Sequence, residues 1–274
     1  MKALLAAALL LLATLNATDA RADTIRLAVT TSFQNSGLSD VLLPAIARDT
    51  GLDVQLLVVG TGQALALGAA GDVDAVLVHS PEAERAQVKS GALLHRREIM
   101  VNDFVVIGPG SDPSDVAGAN SLNDALARIS AGSAPFVSRG DDSGTHRREL
   151  ALWKAAGIDP AETGAAWYRE AGSGMGATLN TAVALGAYTL SDRASWLNFS
   201  NRADHTIVFA DDPALLNQYA FLPVNPARHP HVKAQAAHQL EDWLTGPVGQ
   251  ALIDGYRVGG QRLFTANAKP EPEL

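Results

Sequence analysis

The chain has no cysteine among its 274 residues. Disulfides, thiol nucleophiles and cysteine-bound zinc are therefore excluded, and stability has to come from apolar packing. Basic residues are also short: 21 Lys and Arg stand against 29 Asp and Glu, a net charge of −8. That balance argues against nucleic acid or an anionic membrane as partner. Long hydrophobic runs are missing outside the N-terminus. The run at residues 3–13 is itself well short of the ~20 residues a spanning helix needs, so no stable membrane insertion is expected. Internal repeats and low-complexity tracts are absent too.

What is present begins with a secretory leader. Lys2 supplies its positive end, residues 3–13 its apolar stretch, and Ala20-Arg21-Ala22 a small-x-small cleavage site. Cleavage after Ala22 makes residues 1–22 a signal peptide and the periplasm the natural destination. No cysteine follows the site to carry a lipid. The remaining ~250 residues, in a chain that is 47% hydrophobic, suffice for two lobes of ordinary size.

The mature sequence alternates strands and helices: strands at 25–29, 54–59 and 75–78, helices at 37–50, 64–70 and 82–89. Pro44 is expected to kink the first of these helices. Such alternation predicts a mainly parallel sheet flanked by helices, with ligands outside the carboxyl ends of the strands. Thr30-Thr31-Ser32, Gly60-Thr61-Gly62 and His79-Ser80 all fall at those ends. Each alone reads equally as a helix cap. The apolar strand 104–107, closed by Gly108-Pro109-Gly110, is read as a first crossing to a second lobe, and 219–224 as a second crossing. The expected architecture is thus α/β and two-lobed, with residues 23–106 and 227–274 in lobe 1 and 107–226 in lobe 2. The two lobes form a hinged clamp. Residues 231–244 read as a further helix, and 266–274 as a loose polar tail.

The densest chemistry lies in Ser138-Arg139-Gly140-Asp141-Asp142-Ser143-Gly144-Thr145-His146, just before a helical pattern at 147–156 with Leu150 and Trp153 on one face. A strand at 134–137 leads into it. A polar loop entering a helix offers unpaired N–H groups at a positive dipole end, and Arg139 adds a permanent planar cation. The plainer reading is a helix start capped by Asp142 or Ser143. After a strand at 166–169, Gly172-Ser173-Gly174-Met175-Gly176 enters a second helix in the same lobe, which fits either an oxyanion or close helix–strand packing. Ser143 with His146 suggests a serine nucleophile, but no orienting third group is visible. His229-Pro230-His231 lacks a third metal ligand and reads as a loop before a helix.

With these residues in view, nearly the whole mature chain resembles the periplasmic substrate-binding proteins of tungstate ABC transporters. The resemblance rests on Thr30-Thr31-Ser32, Val59-Gly60-Thr61-Gly62-Gln63-Ala64-Leu65, Val78-His79-Ser80-Pro81-Glu82-Ala83-Glu84, Asn102-Asp103-Phe104-Val105 and the stretch 138–146. It continues through Leu152-Trp153-Lys154-Ala155-Ala156-Gly157, Gly174-Met175-Gly176-Ala177-Thr178-Leu179-Asn180 and Tyr188-Thr189-Leu190-Ser191-Asp192-Arg193. Val29 departs from a frequent third threonine, and Phe33-Gln34-Asn35 from a more polar run. The resemblance implies a type II periplasmic binding fold, tungstate as ligand and delivery to a permease and its ATPase; molybdate, alike in charge and shape, is the alternative ligand, and no cofactor, no enzymatic activity and a monomer are expected. A tetrahedral dianion offers only acceptors, so its site should present only donors. Thr31, Ser32 and Thr61 can donate from lobe 1, and Arg139, Ser143, Gly144 and Thr145 from lobe 2, with Met175 and Gly176 adding backbone N–H groups. Phosphate is the runner-up, because residues 139–145 also resemble the Arg-x-Asp-x-Ser-Gly-Thr segment of phosphate binders. Hydrogen phosphate carries a proton and wants an acceptor; Asp141 and Asp142 are expected instead to cap the helix or hold Arg139. An exported serine hydrolase built on Ser143 is the reading from another class.

Overall fold

The structure is a computed structural model that describes residues 23–132, 134–160 and 167–269; the leader, Ala166 and the last five residues lie outside them. Strand β1 (Asp23–Thr30) is the hub of the first sheet. It alternates at first and is then wholly buried, as a strand with neighbours on both sides must be. It pairs in parallel with β2 (Leu52–Val59) and with β3 (Ala75–Val78). The registers bring Thr30 opposite Val59 and Val29 opposite Leu77, so the carboxyl ends of all three strands share one edge. The helices Leu38–Thr50, Thr61–Ala70 and Pro81–Lys89 connect them. The first runs through Pro44 as one helix; its missing N–H leaves only the carbonyl of exposed Asp40 without its helical partner.

The chain then enters β4 (Arg97–Pro109), the element common to both lobes. Its first half pairs with β9 (Leu216–Pro223) and with β12 (Thr265–Ala266). Its second half pairs with β7 (Thr189–Asp192) and β8 (His205–Phe209). The expected break after residue 107 does not occur. Gly108 continues the strand, and the Tyr188 ring fills the space where a Cβ would stand. Strand β9 inserts antiparallel between β3 and β4, completing the order β12-β4-β9-β3-β1-β2. The sequence-based division at 106/107 thus cuts β4, and that at 226/227 falls beyond β9. Two short strands, β5 (Phe136–Ser138) and β6 (Tyr168–Glu170), pair in parallel and deliver the 138–146 stretch. A hairpin of β10 (Arg257–Val258) and β11 (Gln261–Arg262) precedes β12.

Apolar side chains collect accordingly. Ile25, Leu27, Leu77, Phe221 and Leu240 pack on one face of the first sheet, and Ala28, Leu65, Val76 and Leu222 on the other. Phe104, Leu126, Phe136, Trp153 and Tyr188 form the core of the second lobe. The helix Gly144–Ala155 starts three residues earlier than its apolar periodicity suggests, because Ser143 Oγ accepts the His146 N–H. Its inner face carries Thr145, Glu149, Leu152 and Trp153; Leu150 is exposed. The helix Ala234–Thr245 starts later than residue 231. Buried Asp74 explains this, taking the N–H of Lys233 on one oxygen and that of Arg26 on the other. The rings of His229 and His231 donate to the carbonyls of Ala69 and Gly71, so this pair fastens a loop. The tail is not loose at residues 266–268: Ala266 pairs with Met100, Asn267 with Gln218, and Ala268 with Gln250.

Tyr188 also ties down the loop after β4. Its hydroxyl donates to Asp112 at 2.7 Å and accepts from the Ser114 N–H at 3.0 Å. Tyr188→Phe should lower stability by about 1–2 kcal/mol while leaving ligand affinity unchanged. Urea denaturation with an unaltered m-value reads this directly; no change in midpoint would mean the hydroxyl does not hold the loop.

Candidate anion-binding site

Four helix N-termini converge where the strand ends of lobe 1 face the loops of lobe 2. Thr30 caps the short helix Thr31–Asn35, its hydroxyl accepting from Phe33 N at 3.3 Å. The helices Thr61–Ala70 and Met175–Leu185 begin after Gly60 and Gly174, which bring no capping side chain, so their first N–H groups stay open to a ligand. The fourth helix, Gly144–Ala155, is capped by Ser143.

Arg139 is set by its own loop. Its Nη2 donates to Asp141 Oδ2 at 2.6 Å, and its side chain is only 13% exposed. The Nε–H is buried without a partner. Asp141 Oδ1 accepts the Ser143 N–H at 3.2 Å, a local turn that orients the helix start. Burial would raise the pKa of Asp141, but hydrogen bonds from Ser143 and Arg139 outweigh it and hold the carboxyl below the usual range. Asp142 does not hold Arg139; its carboxylate takes Arg147, at 2.9 and 2.7 Å. Gly140 stands at φ +62 with Glu170 Cβ 2.6 Å from its absent side chain, so this turn admits no larger residue.

These elements enclose a cavity of about 20 Å³ lined by Thr30, Thr31, Ser32, Gly60, Thr61, His79, Arg139, Ser143, Gly144 and Thr145. All the predicted donors except Met175 and Gly176 are therefore brought together. Those two line an adjoining chamber of about 440 Å³, which shares Thr31, Ser32 and Arg139. Among the described residues, no side-chain carboxylate lines the smaller cavity. One acid, Asp192, lines the larger chamber, and it caps the helix Arg193–Asn198 through Ser195 N at 2.9 Å. Burial raises its pKa against the pull of Ser195 and of Arg139. Another cavity, about 600 Å³, lies elsewhere and is lined by Asp103, Asp211 and Asp212, with its Arg193 already paired to Asp103. Its carboxylates repel an anion.

Sequence reasoning placed His79 at a strand end but gave it no part, and it missed Tyr219 and Asp192. His79 Nε2 lies 3.1 Å from Ser32 Oγ, and its ring packs on Tyr219 at 4.7 Å. Burial pushes the ring's pKa down to about 4, so it is neutral near pH 7. The position of His79 beside Ser80 was a usable signal. Tyr219 gave none, since it reads as one more core residue of an apolar strand.

The serine-nucleophile arrangement is not formed. Ser143 Oγ accepts the backbone N–H of His146, while the ring's Nδ1 accepts the Asp142 N–H at 3.0 Å. The His146 Nδ1 is thus not directed at the hydroxyl.

Comparison with known proteins places this geometry in context. Residues 16–248 match the PBP superfamily domain. The tungstate-binding protein TupA of Peptoclostridium acidaminophilum is 42% identical over 248 residues, 89% of this chain and 86% of that protein. Among solved structures, the tungstate-binding protein TupA from Desulfovibrio alaskensis G20 superposes with a TM-score of 0.84 at 42% identity, covering 90% of this chain and 100% of that one. The tungstate ABC transporter structure from Geobacter sulfurreducens gives a TM-score of 0.76 at 44% identity, over 85% and 98%.

Proposed function

The chain belongs to the PBP superfamily, among its tungstate-binding transport proteins, and from that membership we propose that it captures tungstate between its two lobes for delivery to an ABC permease and its ATPase. One observation carries the reading: the small cavity between the lobes is lined by hydroxyls, helix N-termini, His79 and one arginine and, among the described residues, by no carboxylate. A fully deprotonated tetrahedral dianion can be satisfied there by donors alone, whereas hydrogen phosphate brings a proton that needs an acceptor. Asp141 is occupied by Arg139 and Ser143 N, and Asp142 by Arg147, which leaves neither free for that task.

The ligand residues are Thr31, Ser32 and Thr61 from lobe 1 and Arg139, Ser143, Gly144 and Thr145 from lobe 2. Met175 and Gly176 sit at the rim, through the larger chamber. Contacts from both lobes make capture and closure a single event, a state the permease can read. The protein works in the periplasm as a monomer, exported by residues 1–22, and no described helix is long and apolar enough to cross a membrane. No cofactor takes part.

Calorimetric titration of the mature protein tests this. Tungstate and molybdate should bind, and sulfate and phosphate should bind at least ~100-fold more weakly, about 2.7 kcal/mol. Phosphate binding as tight as tungstate would overturn the assignment.

A further inference from the structure

The charge balance of the site is incomplete. A dianion brings two negative charges. Arg139 is the one cation lining the small cavity, and it is already shared with Asp141. The donor count is incomplete as well. Ser32 Oγ lies within hydrogen-bond reach of three groups: Thr30 Oγ1 at 2.9 Å, His79 Nε2 at 3.1 Å and Tyr219 OH at 3.3 Å. A serine hydroxyl has one proton to give.

The tautomer of His79 decides where that proton goes. The other groups bonding the ring, Asn217 and the backbone of His79 itself, favour its protonated form and so act as acceptors. Asn217 has its amide nitrogen committed to Asn102 at 2.8 Å, which leaves its oxygen for the ring. The ring nitrogen turned away from Ser32 therefore carries the proton in neutral His79, and Nε2 is a lone pair. That lone pair takes the Ser32 proton. With its single proton committed to His79, Ser32 shows the cavity only acceptor character, the wrong sign for an oxyanion.

We propose that the oxyanion is bound together with one proton on His79, which supplies the second positive charge and turns Ser32 from an acceptor into a donor. This rests on the oxyanion reading of the site. His79 takes the proton from solvent; Nε2–H then donates to Ser32 Oγ, and the freed Ser32 O–H donates to the anion. No covalent bond other than Nε2–H forms, and the Thr30 and Tyr219 hydroxyls turn so that Ser32 Oγ accepts no more than two hydrogen bonds. His79 is thus a positioning residue that acts through Ser32.

The surroundings of the ring fit such a switch. Burial keeps it neutral in the free protein, with a pKa of about 4. From β9 it meets Tyr219, whose own ionisation is pushed up by burial and by the Asp192 charge. From the 138–146 loop it faces Arg139 across the cavity, with Asp141 behind. From the helix Pro81–Lys89 the neighbouring acid is Glu84, which is spent on Arg96 and on the Ser80 N–H. The starts of the helices Thr61–Ala70 and Gly144–Ala155 present a hydroxyl and backbone, Gly144 close against the ring; Arg147 lies beside Gly62 and is paired with Asp142. Among the described residues, no carboxylate is hydrogen-bonded to the ring.

The test is calorimetric titration of the mature protein with sodium tungstate at pH 6.5 in two buffers of different ionisation enthalpy. Close to one proton per ion should be taken up. The sign follows from linkage: a group whose pKa rises on binding strengthens binding as pH falls. Affinity should therefore drop about tenfold per pH unit as pH rises toward the pKa of liganded His79, and level off above it. His79→Gln, which cannot gain a proton, should bind at least ~10-fold more weakly with no proton uptake. Wild-type binding without proton uptake, or unchanged uptake in His79→Gln, would overturn the proposal; the wild-type count stands even if the variant folds poorly. Absence of any tungstate binding would instead overturn the oxyanion reading itself.

Discussion

Arg139→Ala should weaken tungstate binding by roughly 2–5 kcal/mol, the range for truncating one partner of a desolvated, hydrogen-bonded charge pair. Three features put Arg139 at the large end of site substitutions. It is the cation lining the small cavity. Its guanidinium is nearly buried, with an Nε–H that has no partner among the described residues, so a bound oxygen there replaces nothing else. Its removal also uncovers Asp141, which would face the incoming anion without a counter-charge. Arg139→Lys keeps the charge and loses the planar fork, and should fall between. Thermal stability without ligand should change little, because Asp141 Oδ1 still holds the Ser143 N–H and the helix start. Isothermal titration of both variants reads the result; an Arg139→Ala protein with unchanged affinity would show that this side chain does not meet the ion.

The part played by Arg139 is legible in the amino-acid sequence itself. Arg139, the hydroxyls beside it and the strand ends of β1 to β3 follow from local patterning, since a parallel sheet puts every carboxyl end on one edge. The paired role of Asp141 is legible too, because an aspartate two residues ahead of a helix cap bonds its own neighbourhood. What stays hidden depends on the late strand β9. Ser32 and Tyr219 meet across 187 residues because β9 returns antiparallel between β3 and β4, and nothing near Tyr219 marks it as other than core. The same non-local packing explains Gly108, which reads as a breaker and is a seat for the Tyr188 ring. It also explains Leu150, apolar at a plausible helical spacing yet turned outward, because buried Glu149 takes the inner position and receives Tyr168 OH and Trp153 Nε1.

Gly144→Val should abolish tight binding without unfolding either lobe. Gly144 opens the helix Gly144–Ala155 in lobe 2, and a Cβ built on it would lie 3.1 Å from Thr61 Oγ1 and 3.1 Å from His79 Cε1, both in lobe 1. The glycine is thus a point of close approach between the two lobes. It is not among the residues with left-handed backbone, so valine meets no conformational penalty there. A methyl alone requires neighbours to yield by a few tenths of an ångström, and Gly144→Ala should be mild. Valine adds two branches beyond the Cβ, directed at a Thr61 that is itself 6% exposed and has nowhere to retreat. The lobes must then stand apart by on the order of 1 Å, which takes a hydrogen bond of ordinary length past its useful range. An ion held from both sides loses one set of donors, and affinity should fall ~100-fold or more, about 2.7 kcal/mol. The free protein should melt within about 0.5 kcal/mol of the parent, since no core contact changes. The rise in melting temperature that excess tungstate gives the parent should vanish, and small-angle scattering should show the parent contracting with ligand and the variant not. Parent-like affinity in Gly144→Val would mean that closure at this point is not what holds the ion.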